Sequence, residues 1–278
     1  MPSLPILDCR VVRRASLACR EANTDIIDIP MEITRRHYDR APITEAVIAI
    51  GCELPGESGL DDLLKVHAHV KSDYPKRADQ QEVQFRLEAA EAKGKVSPAR
   101  LVGYQLADES GKHLVRLALG EFAFSQLAPY GHWELVRAEA KRIWEVYESV
   151  LHPCRITRVS VRYINRLDFP DPEGRGVDLD IYFRTAPRIA PELPQQMKAY
   201  FVRLELPFNE PNGVIIITET AAPPPSPGVV STLLDLDVIM QNVSLDAEEA
   251  WRTIENLRDR KNAAFEACIT DATRDLIK

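Results

Sequence analysis

The chain has 278 residues with a formal net charge of −7, and 45% of its residues are hydrophobic and 28% charged. These values are typical of a globular protein with a sizeable core, and they exclude a globally disordered chain. A net negative charge argues against general, backbone-driven binding of nucleic acid, which needs a basic surface. No apolar run approaches the ~20 residues needed to cross a bilayer, so no membrane span is expected.

The cysteines are odd in number and widely scattered, and none forms a CxxC pair: Cys9, Cys19, Cys52, Cys154 and Cys268. This pattern is typical of a reducing compartment, where cysteines act as small apolar fillers, and it favours neither a disulfide framework nor a zinc site. The sequence therefore predicts a soluble, cytoplasmic protein with no metal site and no cofactor.

Residues 1–30 differ from the rest because they show no sustained helical or strand period. Asp8 and Arg10 interrupt the apolar core that a secretory signal requires. Met31 opens a plausible native start. We therefore expect residues 1–30 to be disordered, or to be an upstream extension that a wrong start codon has added.

Residues 31–153 predict a first α+β half. Hydrophobic periodicity and turn residues divide it into elements. The predicted elements are a strand over Glu45–Leu54, a helix over Asp61–Tyr74, a strand over Glu82–Ala89, a loop over 91–99, strands over 101–108, 113–119 and 121–127, and a helix over His132–Leu151. Gly111 lies between the predicted strands 101–108 and 113–119 and is available for the positive φ of a hairpin turn.

Residues 154–278 predict a second half with a similar order of elements. These are the strand Arg155–Phe169, a short helix over Leu179–Phe183, a helix over Leu193–Leu204, strands over 214–221 and 229–241, a helix from Ser244 to about Ile269, and a tail over Thr270–Lys278 that continues helically. The fold class predicted is α+β: an antiparallel sheet with helices on one face, in two pseudo-repeated β-α-β-β-type halves.

The strand Arg155–Phe169 alternates between two chemically different faces. One face carries Arg158, Arg162, Arg166 and Asp168. Arginine forks suit phosphate or carboxylate, so this face is a candidate anion site. The alternative is that these side chains face solvent or pair with Glu and Asp on neighbouring strands. Asn165 lies on the other face, beside valines and a tyrosine, where a buried amide needs a partner. We expect a structural hydrogen bond to a neighbouring loop, with a ligand contact as the alternative.

Three carboxylates and one lysine complete the set of candidates. Asp235 and Asp237 point the same way along one strand, so they either hold a divalent metal or pair with the arginine face. Glu45 is a candidate general acid or base, with pairing to an arginine as the alternative. For Lys261, at the edge of the last helix's apolar stripe, we expect a solvated face, with approach to the central sheet as the alternative. The catalytic motifs GxSxG, GxGxxG, HExxH and the P-loop are absent from the sequence.

From Met31 onward the chain resembles a sporadically distributed bacterial family of uncharacterised proteins of similar length. Short motifs carry this resemblance: Ala41-Pro42-Ile43, Glu45-Ala46, Tyr130 with Trp133, Arg162-Tyr163-Ile164-Asn165, Leu234-Asp235-Leu236-Asp237, Lys261-Asn262, Phe265-Glu266 and Thr270-Asp271. The resemblance implies no activity, and the segment before Met31 departs from it.

The function predicted is that of a binding or interaction module with a groove between the two halves, for a small anionic ligand or a protein partner. The candidate ligand-binding residues are Arg162, Asn165, Arg166, Glu45, Asp235 and Asp237. The alternative is a hydrolase or nucleotide-processing enzyme that uses Glu45, Asp235, Asp237 and the arginine face. A third hypothesis is assembly through an exposed sheet edge, with a homodimer as the expected outcome.

Overall fold

The computed structural model describes residues 36–82, 85–88, 93–96, 99–209 and 212–278, with backbone only for 85–88 and 93–96. The predictions for residues 1–30 lie outside the described residues. The strand predicted over Glu82–Ala89 lies partly outside them.

The protein is built on one antiparallel sheet of nine strands, in the order β2-β5-β6-β7-β1-β8-β11-β10-β9. A separate two-stranded hairpin consists of β3 (Phe85–Glu88) and β4 (Lys93–Val96). The strands of the large sheet are β1 (Ile43–Glu53), β2 (Lys76–Glu82), β5 (Arg100–Ala107), β6 (His113–Ala118), β7 (Glu121–Leu127), β8 (Arg155–Pro170), β9 (Phe201–Asn209), β10 (Asn212–Ala222) and β11 (Val229–Leu245). The helices are α1 (Leu60–Val70), α2 (Trp133–Leu151), α3 (Ala247–Cys268) and α4 (Asp271–Ile277), with one 3-10 turn at Leu179–Ile181. This is the predicted α+β class.

Both halves follow the same strand path. After β1 the chain crosses through α1 to one edge of the sheet and returns through β5, β6 and β7 to lie beside β1. After β8 it crosses to the other edge and returns through β9, β10 and β11 to lie beside β8. Since β1 and β8 pair directly and antiparallel at the centre, one continuous sheet joins the two halves.

The core lies between one face of the sheet and the helices. Ile48, Val161 and Val238 lie side by side on β1, β8 and β11 and are fully buried. The α2 helix covers the first half with Trp144 and Tyr147, which are both fully buried. Burying each such side chain contributes about 1.5–3 kcal/mol, so this alternation decides which face of each strand turns inward.

The predicted helix over Leu193–Leu204 is wrong, because the chain forms β9 from Phe201 to Asn209. Residues 193–200 form no helix. The sequence of β9 alternates, and its pairing with β10 runs from Asn209 to Phe201 without a register shift. A ladder of backbone hydrogen bonds to β10 therefore replaces the predicted helix. The second crossover consequently lacks the α-helix that the first one has.

Several smaller boundaries also differ. The loop predicted over 91–99 contains β4, and β2 at Lys76–Glu82 was not predicted. The last long helix is capped by Asp246, which accepts a hydrogen bond from the Glu249 N–H at 2.8 Å, so Ser244 still belongs to β11. The tail forms a separate helix, α4. Gly111 has a φ of +69°, as the predicted hairpin requires. None of the helices in the described ranges is long and apolar enough to span a membrane.

Candidate functional site

The face of the sheet that points away from the helices, here called the open face, carries most of the predicted site residues. In one row across β1, β8 and β11 the residues are Glu45, Ile164 and Asp235; in the next row they are Val47, Arg162 and Asp237. Arg166 lies on the same face of β8, and Asn165 points to the opposite face. The structure thus brings five of the six predicted residues to one face.

Arg162 and Asp235 form a two-pronged ion pair across β8 and β11. The Arg162 Nε donates to Asp235 Oδ1 at 2.8 Å, and Nη2 donates to Oδ2 at 2.5 Å. The two side chains are only 31% and 17% exposed. This geometry is the strong form of a charge-assisted hydrogen bond. The predicted alternative, pairing of the arginine face with carboxylates of a neighbouring strand, describes Arg162.

Arg166 is held by three acceptors at the other end of the open face. Its Nε donates to Asp168 Oδ1 at 3.0 Å, and its Nη2 donates to the Pro223 carbonyl at 2.7 Å and to Ser231 Oγ at 2.9 Å. The Ser231 hydroxyl in turn donates to Asp168 Oδ1 at 2.5 Å. These contacts join β8, β11 and the proline-rich connector before β11. Arg166 therefore has a structural role in the arrangement observed.

Asp237 differs from the other charged residues of the open face. Its Oδ1 is buried and has no hydrogen-bond partner among the residues that the structure describes. Burial raises the pKa of this carboxyl to about 6, although Arg158 and Arg162 nearby favour the charged form. A carboxyl group that lacks a donor in a partly buried position is an incomplete polar site.

Glu45 does not join the aspartates, because Ile164 lies between Glu45 and Asp235 in the same row. Two strand spacings separate the two backbones, or about 10 Å. Within the described ranges, no group of three or more His, Cys, Asp or Glu side chains is placed to hold a metal ion. Among the described residues, the open face therefore presents two ion-paired arginines, Arg162 and Arg166, beside Asp237, and no carboxylate cluster that could hold a metal ion.

Asn165 has a structural role on the helix side of β8. It is 3% exposed, and its Nδ2 donates to the Leu234 carbonyl at 3.0 Å, with a longer contact to the Tyr163 carbonyl at 3.4 Å. The amide is thus satisfied by the backbone of β8 and β11. This is the structural hydrogen bond that was weighed against a ligand contact, although its acceptor lies on a strand and not on a loop.

Lys261 does not lie on a solvated face as predicted, because α3 carries it into the interior. It is 5% exposed, and its Nζ lies 3.5 Å from the centroid of the Tyr163 ring. The Tyr163 hydroxyl shares a hydrogen bond of 2.7 Å with the Tyr130 hydroxyl. Burial lowers the pKa of Lys261, and the nearby Arg258 acts in the same direction, while Asp259 opposes them. The resulting pKa is about 7.

Sequence patterns did not identify this group of Lys261, Tyr163 and Tyr130 as a unit. The only signal was that each of the three residues belongs to one of the short motifs that carry the family resemblance. Those motifs lie far apart in the chain, so no spacing rule connects them. Only the packing of α3 against β8 brings them together.

Two of the surface clefts in the described part of the chain have well-defined linings, and neither is lined by any of the six predicted residues. The larger, of about 550 Å³, lies within the first half between β6, β7 and α2. Its polar lining includes His113, which pairs with Asp108 at 3.0 Å, and Glu139, which accepts a hydrogen bond from the Tyr74 hydroxyl at 2.7 Å. The smaller, of about 340 Å³, lies beside α4.

The sequence matches no protein-family model, and it has no match among curated proteins. The resemblance that its short motifs carry therefore stays a prediction. The class that the fold defines is an α+β protein with one antiparallel sheet that is covered by helices on one face.

Proposed function

We propose that this protein is a non-catalytic interaction module that binds a partner protein through the open face of its sheet. The observation that carries the proposal is the pairing of charges on that face. Asp235 occupies the guanidinium of Arg162, and Asp168, Ser231 and a carbonyl occupy that of Arg166. The Nε and Nη2 groups of both arginines are therefore already bonded, which leaves fewer donors for a small anion and presents a fixed pattern of donors and acceptors to a protein surface.

The shape of the site also favours a protein partner over a small molecule. Small-molecule sites are concave and bury most of the ligand. The paired residues lie on a broad sheet face, and the two clefts are lined by other residues. Because β1 and β8 pair directly, a partner on this face contacts both halves of the protein.

Asp237 defines the chemistry expected of the partner. Its buried Oδ1 meets no donor among the described residues. Because a partner does not reach this atom in the free protein, a partner that offers an N–H or O–H group completes the hydrogen bond only when the Asp237 side chain turns outward on binding. An unsatisfied buried acceptor costs about 1–3 kcal/mol, and satisfying it is a specific gain on binding. The enzyme alternative lacks comparable support, because Asp235 is already bound by Arg162, and Ile164 separates it from Glu45.

The proposal is tested by a matched pair of arginine substitutions in the tagged chain, used as bait in an extract of the source cells. Ile164→Arg places a charge at the centre of the open face, where Glu45 offers a counter-charge that helps the variant to fold. Leu135→Arg makes the same change on α2, at a position that is already 66% exposed on the helix side. We expect a partner that the wild type and Leu135→Arg retain and that Ile164→Arg loses by at least ~tenfold in affinity once the partner is purified.

Equal retention by all three proteins overturns the proposal, and so does loss with Leu135→Arg alone. A second arm tests the small-ligand alternative by thermal denaturation with nucleotides, anionic metabolites and divalent metals, since a ligand that binds the folded state raises the midpoint. We expect no shift in this arm. A shift that is lost in Arg162→Ala establishes a small-ligand site on β8 instead.

A further inference from the structure

The β9 edge of the sheet is chemically different from the opposite edge. β9 has apolar side chains that are exposed: Phe201 is 67%, Leu204 37% and Leu206 44% exposed. The opposite edge strand, β2, reads KRADQQE and is polar at every position except Ala78. Charged edge strands discourage pairing with other chains, whereas an apolar edge with free backbone groups is suited to it.

The ladder shows which backbone groups of β9 point outward. The Ala221 N–H donates to the Tyr200 carbonyl at 3.4 Å, which fixes the alternation of bonds between β9 and β10. In an antiparallel pair every second residue directs its N–H and C=O to the neighbouring strand. Phe201, Arg203, Glu205 and Pro207 therefore direct theirs away from β10. Pro207 has no N–H, so its outward position removes no bond from the existing ladder.

The far end of β9 is anchored, so the strand is a firm template. Phe208 is 4% exposed, its ring packs closely over Gly213 of β10, and the Arg260 guanidinium lies 4.3 Å above the ring centroid. A Cβ on Gly213 would come within 2.5 Å of that ring, so the glycine makes room for it. The exposed part of β9 lies directly on the N-terminal side of Phe208.

The two charges of β9 complement a second copy of the same strand. Arg203 and Glu205 lie on the same face, are joined at 2.9 Å, and are 35% and 60% exposed. If two copies of β9 pair antiparallel about a two-fold axis at Leu204, Arg203 of each copy lies opposite Glu205 of the other. Leu204 then lies opposite itself, and Val202 lies opposite Leu206. Cross-strand pairs of opposite charge and of apolar side chains each stabilise a sheet by about 0.2–1 kcal/mol.

The same charges oppose the neighbouring registers. Sliding one strand by two residues, which preserves the faces, places either Arg203 opposite Arg203 or Glu205 opposite Glu205. Like charges in direct opposition destabilise a pair of strands. The sequence of β9 thus favours one register and disfavours the next on either side, which is how a specific interface is distinguished from a merely adhesive edge.

From these observations we infer that the protein forms a two-fold symmetric homodimer in which the β9 strands of two copies pair antiparallel, centred on Leu204. The two sheets then join into one, and the open faces of the two copies become a continuous surface. The inference does not rest on the proposed partner on the open face, because strand pairing uses the backbone edge of β9. The side chains of Arg203 and Glu205 lie on the open-face side of β9, in the rows of Asp235 and Asp237.

A charge-swap series in the full chain tests the dimer by sedimentation velocity across a range of concentrations. We expect a dimer for the wild type and a dimer dissociation constant that is weakened roughly tenfold or more in Glu205→Arg and in Arg203→Glu, because each places like charges opposite each other twice. The double variant Arg203→Glu/Glu205→Arg restores the complementarity, so the dimer returns. Asp79→Arg on β2 makes the same change of charge at the other, exposed edge and leaves the dimer intact.

Cysteine crosslinking provides a second readout that does not depend on the charge variants. Leu204→Cys places a thiol on the two-fold axis in a non-hydrogen-bonded pair, where the Cα atoms are about 4.5 Å apart and the side chains are closest. We expect oxidation to give a covalent dimer well above the background of the wild type, which has its own free cysteines. Leu206→Cys, opposite Val202 of the other copy, stays at background.

Three results would overturn the inference. They are a wild type that is monomeric at every concentration, single variants that remain dimeric, and a double variant that does not regain the dimer while its thermal midpoint matches that of the wild type. Equal crosslinking at positions 204 and 206 would also rule out the register centred on Leu204.

Discussion

Lys261 places an amine in the interior of the protein, where two effects of opposite sign act on it. The Tyr163 ring at 3.5 Å favours the charged amine by about 0.5–2 kcal/mol. Removal from water disfavours it by more, because the pKa of Lys261 falls from 10.5 to about 7. Since one pKa unit corresponds to about 1.4 kcal/mol, desolvation outweighs the attraction of the ring.

This balance predicts that Lys261→Met stabilises the protein in mildly acidic solution. Because the folded-state pKa is depressed, the lysine's contribution is fully present above pH 10.5 and is lost as the pH falls through about 7. We expect Lys261→Met to raise the free energy of unfolding by about 2–4 kcal/mol at pH 6, with a smaller difference at pH 9.5. Urea denaturation at the two pH values measures this. Lys141→Met on the exposed side of α2 is the control, and a Lys261→Met protein less stable than the wild type at pH 6 would refute the prediction.

Asp237 predicts a pH dependence of the opposite kind on the open face. Its pKa is raised from 3.8 to about 6, so its contribution to stability is fully present below about pH 4 and is lost as the pH rises through 6. Asp237→Asn removes the charge, and we expect it to stabilise the protein by ~1–2 kcal/mol at pH 7 and to flatten the dependence between pH 4 and 6. Thermal denaturation across this range, beside Asp79→Asn, checks it. A slope that is unchanged in Asp237→Asn would assign the dependence to another group.

The residues that sequence reasoning placed well are those whose position depends on one strand. Alternation along β8 assigns Arg162 and Asn165 to opposite faces, and alternation along β11 places Asp235 on the polar side. The pairing of Arg162 with Asp235 was weighed as an alternative because only neighbouring strands needed to be assumed. Lys261 was misplaced because its burial depends on how α3 sits on β8, which no local period encodes.

At the scale of elements, the second crossover is held to the sheet by a buried carboxyl group in place of a helix. Glu219 of β10 is fully buried and accepts hydrogen bonds from Thr185 Oγ1 at 2.9 Å and from the Tyr200 hydroxyl at 3.1 Å. The Tyr200 hydroxyl also lies 3.0 Å from Thr232 Oγ1 on β11. Two residues of the crossover thus meet two strands of the sheet.

Burial raises the pKa of Glu219, although its two hydrogen bonds oppose this. The contribution of Glu219 is therefore present at acidic pH and is lost as the pH rises through the folded-state pKa. We expect Glu219→Gln to keep the contacts and to remove this dependence, whereas Glu219→Ala leaves Thr185 and Tyr200 without their acceptor and costs about 2–3 kcal/mol. Urea denaturation at pH 5 and pH 8 separates the two variants. Equal losses of stability in the two variants would mean that the crossover depends on the shape of the side chain at position 219 and not on its hydrogen bonds.

Elements with one dominant period were predicted well from the sequence, and elements with two were not. The long α2 helix has a single clear pattern that agrees with its burial. Before Phe201 the apolar residues have helical spacing, and after it they alternate as in a strand. Pairing with β10 makes Phe201–Asn209 a strand. The β9 edge, on which the inferred dimer depends, therefore became visible only in the structure.

At the scale of the whole molecule, the two halves are joined through β1 and β8 into one sheet whose helices all cover the same face. This arrangement leaves an open face on which Arg162 and Arg166 are already held by neighbouring residues of the same protein. A partner on that face and a second copy on the β9 edge use different surfaces, so both can bind at the same time. The account predicts an assembly built on one extended sheet.

The most direct test of the central claim, that the open face binds a protein partner, is carboxyl footprinting of the complex with a water-soluble carbodiimide. Asp168, 41% exposed, reports on the open face, and Glu145, 60% exposed on α2, reports on the helix side. We predict that binding lowers the labelling of Asp168 several-fold and leaves Glu145 unchanged. Protection of Glu145 with Asp168 still labelled would place the partner on the helices and contradict the account.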